Sequence, residues 1–343
     1  MHQDDISRVA VIGAGSWGTA MANLLAEKGT GVDLWVREDS VYQDILDNRR
    51  NALFLPGVHL SAGIRPERSV ETALAGKELA VMAVPSHVFR EVLTALCPYL
   101  EPKTDVLILT KGIETDTLML MSQVAGSLLD EARMIRFACL TGPSFAQEVS
   151  RRLPTAVTIG CEDPDHGRTL QRLFATDFFR VYVTQDVLGT QLGGALKNVI
   201  AIATGTSDGL NFGYNARAAL ITRGLAEITR LGVRMGAAPE TFSGLAGMGD
   251  LVLTCTGELS RNRTVGLKIG KGLTLEEITR KMNMVAEGIK NTAAAYKLSK
   301  KHDVDMPITE AVYRILYENK SPESAVKELM SRDLKAETPN FRI

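Results

Sequence analysis

The chain has 343 residues, of which 45% are hydrophobic and 23% are charged, and its formal net charge is −1. This length predicts two domains, and this composition is typical of a soluble globular protein. The near-neutral charge excludes a broad electrostatic attraction to nucleic acid or to an acidic membrane, and no apolar run reaches the ~20 residues of a membrane-spanning helix.

The first predicted element is a buried strand, Val9–Gly13, that leads into a Gly-x-Gly-x-x-Gly motif and then a helix. Gly13 allows a tight turn, Gly15 lets backbone N–H groups approach a pyrophosphate, and Gly18 lets the helix pack closely on the strand. The diphosphate is expected at the positive end of a helix that begins near Ser16. The strand before the motif and the helix after it favour a dinucleotide site over an ordinary glycine turn.

The second predicted strand, Val32–Val36, is followed by Arg37 at the position that governs cofactor choice. An NAD site places Asp or Glu about 20 residues after the glycine motif, where it binds the ribose hydroxyls. A cation there suits a 2′-phosphate, so NADP(H) is favoured, although Glu38 leaves NAD(H) open. The alternative for Arg37 is an ordinary solvated loop charge.

The first half of the chain alternates strands and helices, which predicts a parallel sheet covered on both faces. The further strand candidates are Leu79–Val84, Asp105–Thr110, Ile135–Leu140, Thr155–Gly160 and Arg180–Thr184. The helix candidates are Met21–Lys28, Val88–Tyr99, Thr117–Leu129 and Pro164–Leu173. The last two strands extend the sheet, where antiparallel edge strands are plausible.

After about residue 187 only helical periodicity remains. The helix candidates are Val187–Thr204, Ala216–Leu231, Leu275–Lys281, Ala286–His302, Ile308–Glu318 and Pro322–Leu329. Glycine-rich turns are expected at Gly205–Gly213, Gly244–Gly249 and Gly270–Gly272. The predicted fold is a Rossmann-type doubly wound α/β sheet extended by extra strands over residues 1–186, followed by an all-α domain over residues 187–343.

The cysteines and the N-terminus bear on the cellular compartment, and the histidines bear on metal binding. The four cysteines form no C-x-x-C pair, which predicts reduced thiols, and the N-terminus lacks the apolar core of a signal peptide. A cytoplasmic location is therefore expected. The five histidines show no metal-ligand spacing, so no metal site is expected.

Ligands of open α/β sheets bind beyond the carboxyl ends of the strands. Lys111 follows the apolar run 106–109 and is expected to place a cation at the cofactor crevice. The turn Thr141–Ser144 offers N–H groups and a hydroxyl to a substrate anion. A solvated lysine and a simple turn are the alternatives.

Lys197 lies in the segment Gly193–Ala203, a helix that is apolar or small nearly all round. Such a helix is buried, and each glycine inside it costs about 1 kcal/mol relative to alanine, which indicates a close approach to another helix or a ligand. A buried lysine needs a partner or a lowered pKa, and a lowered pKa suits proton transfer. A structural lysine that extends its ammonium to solvent is the alternative.

Two further segments are expected to meet Lys197. In Gly247–Asp250 a tight glycine turn ends in a carboxylate that can orient an ammonium group. In Ser260–Arg263, arginine suits bidentate phosphate binding, and Ser260 or Asn262 can cap the helical run Thr264–Ile269. A capped, solvated helix start is the alternative for this second segment. Together these residues indicate reduction of a carbonyl on a phosphorylated substrate without a metal.

Eight motifs, in this order, resemble those of the bacterial NAD(P)-dependent glycerol-3-phosphate dehydrogenase family, and the resemblance covers residues 8–335. The motifs are Gly13–Ala20, Val84–Ser86, Thr110–Glu114, Gly142–Ala146, Ala195–Asn198, Gly247–Leu251, Ser260–Asn262 and Val285–Gly288. The resemblance implies reversible reduction of dihydroxyacetone phosphate to sn-glycerol 3-phosphate with NAD(P)H, a step that feeds phospholipid synthesis, by a homodimer.

The resemblance also implies residue roles. Lys197 is implied as the general acid/base, with Asp250 and Lys111 as the other catalytic residues. The implied substrate contacts are Lys111, Gly142, Ser144, Lys197, Asp250, Ser260, Arg261 and Asn262. The implied cofactor contacts, with the three motif glycines, are Ser16, Trp17, Arg37, Lys111, Ala146, Arg261, Val285 and Glu287. Many members carry an aromatic hydroxyl before a Leu-Pro-Gly turn; here Phe54 keeps a stacking surface without the hydroxyl.

Two competing interpretations remain. One is another two-domain dehydrogenase with a helix-borne lysine, of the 6-phosphogluconate or β-hydroxyacid type, which differs in its substrate. The other is a dinucleotide-sensing protein without turnover, which has no need of Lys197 and Asp250 beside Ser260–Asn262.

Overall fold

Eight strands form one sheet in the order β3-β2-β1-β4-β5-β6-β7-β8. The structure is a computed structural model and describes residues 6–129, 135–280, 286–334 and 336–337. The strands are β1 (Arg8–Ile12), β2 (Gly31–Trp35), β3 (Ile64–Glu67), β4 (Leu79–Met82), β5 (Asp105–Ile108), β6 (Phe137–Thr141), β7 (Thr155–Cys161) and β8 (Phe179–Thr184). Strands β1 to β6 pair in parallel, β7 runs antiparallel to β6, and β8 is parallel to β7. The expected extension with antiparallel pairing is confirmed.

Burial explains which strands the sequence predicts. The central strands β4 and β5 are buried along their whole length, as expected of strands covered on both faces. The edge strand β3 escapes prediction because its sequence, Ile-Arg-Pro-Glu, has two charges and a proline. Proline is tolerated at a sheet edge, where its missing N–H breaks no ladder.

Helices cover the sheet, and three of them escape prediction. They are α1 (Ser16–Glu27), α2 (Asp39–Asn48), α3 (Val70–Leu74), α4 (Phe89–Leu96), α5 (Met121–Leu128), α6 (Ala146–Ser150) and α7 (Pro164–Phe174). The sequence analysis misses α2, α3 and α6. The predicted helix Thr117–Leu129 begins four residues too early.

The described chain after β8 is helical. Its helices are α8 (Val187–Gly209), α9 (Gly213–Arg234), α10 (Pro239–Ser243), α11 (Asp250–Thr256), α12 (Arg261–Gly270), α13 (Leu275–Arg280), α14 (Glu287–Lys301), α15 (Pro307–Tyr317) and α16 (Pro322–Met330). The buried helix α8 packs against α9, α11, α12 and α14 and forms the centre of this domain. Across the described ranges, no helix is both long and apolar enough to cross a membrane. The exact limits 1–186 and 187–343 stay a prediction.

The predicted turn at Gly205–Gly213 is wrong over its first half, because Gly205 lies inside α8. A Cβ atom on Gly205 would lie 2.0 Å from the carbonyl oxygen of Arg263. The glycine therefore allows α12 to approach α8 closely, and the chain turns only after Gly209.

Candidate active site

The glycine motif forms the turn between β1 and α1. Gly13 has φ +113°, and a Cβ on it would lie 2.9 Å from the carbonyl oxygen of Ala83. A Cβ on Gly18 would lie 2.0 Å from the carbonyl oxygen of Gly13, so no side chain fits there. A Cβ on Gly15 would have no heavy atom within 4 Å. The tight turn and the close packing are confirmed, and the surface above Gly15 is open to a ligand.

The surroundings of the motif fit a dinucleotide. Helix α1 begins at Ser16, so its first N–H groups and its positive end face the space above Gly15. The Ser16 hydroxyl donates to the carbonyl oxygen of Phe54 at 2.6 Å, which holds the Phe54 loop beside the motif. The Trp17 Nε1–H is buried and finds no acceptor in the described part of the chain.

Arg37 lies two residues beyond β2, at the same edge of the sheet. Its side chain is 73% exposed, and its guanidinium donates to the Glu38 carboxylate at 2.7 and 3.0 Å. The backbone of this loop is held by Arg68, whose guanidinium donates to the carbonyl oxygen of Arg37 at 2.8 Å. The cation predicted after β2 is therefore exposed at this edge of the sheet, with Glu38 as its partner.

Lys197 is buried in the centre of α8, with 7% of its surface exposed. Its ammonium donates to Asp250 Oδ1 and, at 2.9 Å, to the Thr254 hydroxyl. Burial lowers the pKa of Lys197 to about 8; Asp250 opposes this shift and Lys111 adds to it. The expected burial of Lys197 and its partner are present, and the alternative of an ammonium extended to solvent is excluded.

Asp250 joins Lys197 to the N-terminal domain. Its carboxylate is 1% exposed, and its Oδ2 accepts from Lys111 Nζ at 2.7 Å. The same Nζ donates to the carbonyl oxygen of Gly142 at 3.2 Å. Burial alone would raise the pKa of Asp250, but the two ammonium groups hold it below its usual value. One carboxylate thus holds ammonium groups from both domains.

The glycines of α8 explain how this cluster forms. A Cβ on Gly193 would lie 2.3 Å from the carbonyl oxygen of Ala246, in the π-helical segment Leu245–Gly249 that precedes α11. A Cβ on Gly194 would lie 2.9 Å from Thr141 Cγ2, at the end of β6. The close approach predicted at these glycines is therefore to protein segments.

The turn after β6 lies beside Lys111. Gly142 has φ +140°, and its carbonyl oxygen accepts from the Ser144 hydroxyl at 2.9 Å. Ala146 then begins α6, so the end of β6 meets a helix N-terminus. The turn expected here is present, with the Ser144 hydroxyl engaged within it.

Residues 260–262 border the same crevice. Ser260 accepts from the Arg263 N–H at 3.2 Å and caps α12, as predicted. Asn262 donates to Asn198 Oδ1 at 2.9 Å and accepts from the Gly288 N–H at 2.9 Å, so it joins α8, α12 and α14. Arg261 begins α12 without an ion pair in the described chain, and desolvation lowers its pKa against the opposing charge of Glu287.

Glu287 crosses between the domains. Its carboxylate accepts from the Ser86 N–H at 3.1 Å and from the Ser86 hydroxyl at 2.5 Å. Val285, the other implied cofactor contact in this motif, lies outside the described residues.

Sequence reasoning missed two polar contacts of this site. Thr254, which accepts from Lys197, lies four residues after Asp250 on the same helix face, a spacing that could have identified it. The sequence analysis includes Ser86 only in the motif Val84–Ser86 and predicts no contact for it, because no neighbouring residue indicates a carboxylate 201 residues away.

The glycine-loop sheet, joined to a helical domain that contributes a buried lysine to the crevice, defines a two-domain nicotinamide-dependent oxidoreductase. Two family models match the chain: the NAD-dependent glycerol-3-phosphate dehydrogenase N-terminus over residues 8–167 and the C-terminus over residues 186–327. A glycerol-3-phosphate dehydrogenase [NAD(P)+] from Geobacter metallireducens is 56% identical over 330 residues, 96% of this chain and 98% of the relative.

A second relative of the same description, from Syntrophobacter fumaroxidans, is 51% identical over 96% of this chain and 97% of its own length. The crystal structure of a glycerol-3-phosphate dehydrogenase from Coxiella burnetii matches with a TM-score of 0.92 and 40% identity, covering 96% of this chain and all 100% of that one. The chain belongs to the NAD(P)-dependent glycerol-3-phosphate dehydrogenase family, a family of enzymes.

Proposed function

We propose that the protein interconverts dihydroxyacetone phosphate and sn-glycerol 3-phosphate by hydride transfer with NAD(P)H. The observation that carries this proposal is the buried cluster of Lys197, Asp250 and Lys111 at the carboxyl ends of the strands. The full-length relatives bear the name of this activity. The cluster supplies an exchangeable proton where the fold family binds its ligands.

Lys197 is proposed as the general acid/base. The bound nicotinamide supplies hydride to C2 of the ketone, or accepts it in the reverse direction. Lys197 Nζ gives its proton to the oxygen at C2 as the carbonyl is reduced and takes it back in the oxidation. A pKa of about 8 lets the ammonium exchange its proton near neutral pH, an effect of roughly 10²–10⁴ in rate.

Asp250 and Lys111 are proposed to orient the Lys197 ammonium and to adjust its tendency to release a proton. Asp250 and Thr254 fix Nζ of Lys197 by two hydrogen bonds, so little orientation remains to be lost in the transition state. Lys111 keeps a second positive charge on the same carboxylate, which favours proton release by Lys197. The alkoxide that develops at C2 is thereby met by two ammonium groups.

The substrate phosphate is proposed to bind at Arg261, assisted by the Asn262 and Ser260 backbone at the start of α12. Arg261 has a guanidinium without an ion pair in the described residues and a planar fork suited to a phosphate. Gly142 and Ser144 are proposed to line the opposite side. Binding of the remote phosphate then positions C2.

NADPH is proposed as the preferred cofactor. The proposed contacts are Gly13, Gly15, Ser16, Trp17, Gly18, Arg37, Phe54, Lys111, Ala146, Arg261, Val285 and Glu287. Arg37 supports the preference, because a cation after β2 suits a 2′-phosphate. We further propose a cytoplasmic homodimer that supplies sn-glycerol 3-phosphate to phospholipid synthesis. The scattered cysteines, without a C-x-x-C pair, support a reducing compartment.

Steady-state assays with purified protein test this proposal. Dihydroxyacetone phosphate should drive loss of the NADPH absorbance, with a lower KM for NADPH than for NADH. 6-Phosphogluconate and β-hydroxyacids, assayed in the oxidative direction with NADP⁺ and NAD⁺, serve as competing substrates. Turnover of one of these in place of the triose phosphate would contradict the proposed substrate, and equal KM values for both reduced cofactors would contradict the preference.

A further inference from the structure

The contact between Ser86 and Glu287 brings another charged side chain of the helical domain to the cofactor crevice. Glu287 is the first residue of α14, and both of its carboxylate oxygens are held by Ser86, which follows β4. Lys290 lies three residues later, on the face of α14 that Glu287 shares. The hydrogen bonds of Glu287 therefore direct the Lys290 side of α14 toward the segment after β4.

The sheet order places this segment beside the glycine motif. Strands β2 and β4 flank β1 on its two sides, so their carboxyl ends border the Gly13–Gly15 turn. Arg37 follows β2, and His87 follows Ser86 in a short 3₁₀ turn after β4. Arg37, His87 and Lys290 thus lie on three separate elements at or beside the segments that border this turn.

Electrostatics agrees with this placement. Partial burial lowers the pKa of His87; the charge of Lys290 lowers it further, Glu287 opposes this, and Arg37 adds a smaller lowering. Both Lys290 and Arg37 are therefore near enough to act on the same imidazole. In the part of the chain that the structure describes, the side chains of His87 and Lys290 form no hydrogen bond or ion pair, and both residues are exposed.

Resting on the proposed preference for NADPH, we infer that Lys290, with His87 beside it, completes the site for the adenosine 2′-phosphate opposite Arg37. Lys290 and Arg37 are both positively charged, and a dianionic phosphate between them would offset their repulsion. Both oxygens of Glu287 accept from Ser86, and Glu287 forms no ion pair with Lys290 in the described part of the chain. The helical domain then contributes to cofactor choice as well as to proton transfer.

The test measures binding of 2′,5′-ADP and of 5′-AMP, which differ only in the 2′-phosphate, to the full-length protein by calorimetry. Lys290→Glu should weaken 2′,5′-ADP by about tenfold, the value of one charged contact, while 5′-AMP binds as before. The affinity of Lys290→Gln for 2′,5′-ADP should lie between those of the unmodified protein and of Lys290→Glu. Lys297→Glu is the matched control, because Lys297 is an exposed lysine on the same helix, farther from Ser86. In steady-state assays of Lys290→Glu, the KM for NADPH should rise and the KM for NADH should stay unchanged.

The outcomes separate this inference from the proposal beneath it. If the unmodified protein prefers 2′,5′-ADP and Lys290→Glu weakens it no more than Lys297→Glu does, the role of Lys290 is wrong and the NADPH preference stands. If the unmodified protein binds both nucleotides equally, the NADPH preference and the role of Lys290 are both wrong. Equal weakening of 5′-AMP would also overturn the inference, since the effect would then not concern the 2′-phosphate.

Discussion

Helix α8 takes part in two buried clusters, each with one carboxylate and two cations. At its centre, Lys197 and Lys111 share Asp250. Near its end, Arg217 and Arg263 share Asp208, whose side chain is 7% exposed. A lysine can lose its proton when it is buried, whereas an arginine stays charged in proteins. Under the proposed mechanism, the same arrangement of charges gives a proton-transfer site in one place and a permanently charged structural contact in the other.

The largest effect is expected from changing the ammonium itself. Lys197→Ala should lower kcat by about 10²–10⁴, because the acid/base is lost, while NADPH affinity from fluorescence titration stays nearly unchanged. Lys197→Arg, which keeps the charge but cannot release a proton, should lose a similar factor. Substantial turnover by Lys197→Arg would show that charge alone suffices at this position. Lys271→Ala, at an exposed lysine of the same domain, should leave kcat unchanged.

Removing the carboxylates should separate the two clusters. Asp208→Asn should lower the free energy of unfolding by about 3 kcal/mol, because two guanidinium groups remain charged and partly buried without their partner. Asp250→Asn should cost less stability, because Lys197 can deprotonate, but it should lose most turnover. The free energy of unfolding in denaturant and kcat are measured on both variants. If one variant lost more than the other in both stability and kcat, the proposed difference between the two clusters would be wrong.

The pH dependence should identify the lysine cluster as the one that titrates. Reduction needs protonated Lys197, so its kcat should fall as pH rises through about 8. Oxidation needs the neutral amine, so its kcat should rise over the same interval, by about tenfold per pH unit below the pKa. Profiles of kcat against pH, measured for reduction and for oxidation, test whether the two change in opposite directions. In Asp250→Asn the residual profile should shift to lower pH, since Asp250 raises the pKa of Lys197.

The smallest effect is expected at the arginine cluster. Arg263 contacts Asp208 through Nε at 2.9 Å and Nη2 at 2.8 Å. Arg263→Lys should lose one of these contacts and destabilise the protein by about 1 kcal/mol in thermal or denaturant unfolding. Its kcat should equal that of the unmodified protein. A changed pH profile in this variant would mean that the two clusters of α8 are coupled.

The sequence by itself determined the elements that depend on residue type and spacing within one segment of the chain. The spacing of Gly13, Gly15 and Gly18 predicted the strand, turn and helix of the dinucleotide motif, because all three elements lie within one short segment. The apolar run around Lys197 predicted a buried helix with a buried ammonium. Residue type and position predicted a helix cap at Ser260 or Asn262, and Ser260 is the residue that caps α12.

Only the tertiary structure decided which remote groups meet. Lys111 and Lys197 lie 139 and 53 residues from Asp250, and no spacing along the chain requires them to share its carboxylate. Gly205 has the sequence of a turn and lies within a helix, because its missing side chain admits the backbone of α12. Packing between segments far apart in the chain sets these contacts, and neither residue type nor local periodicity carries that information.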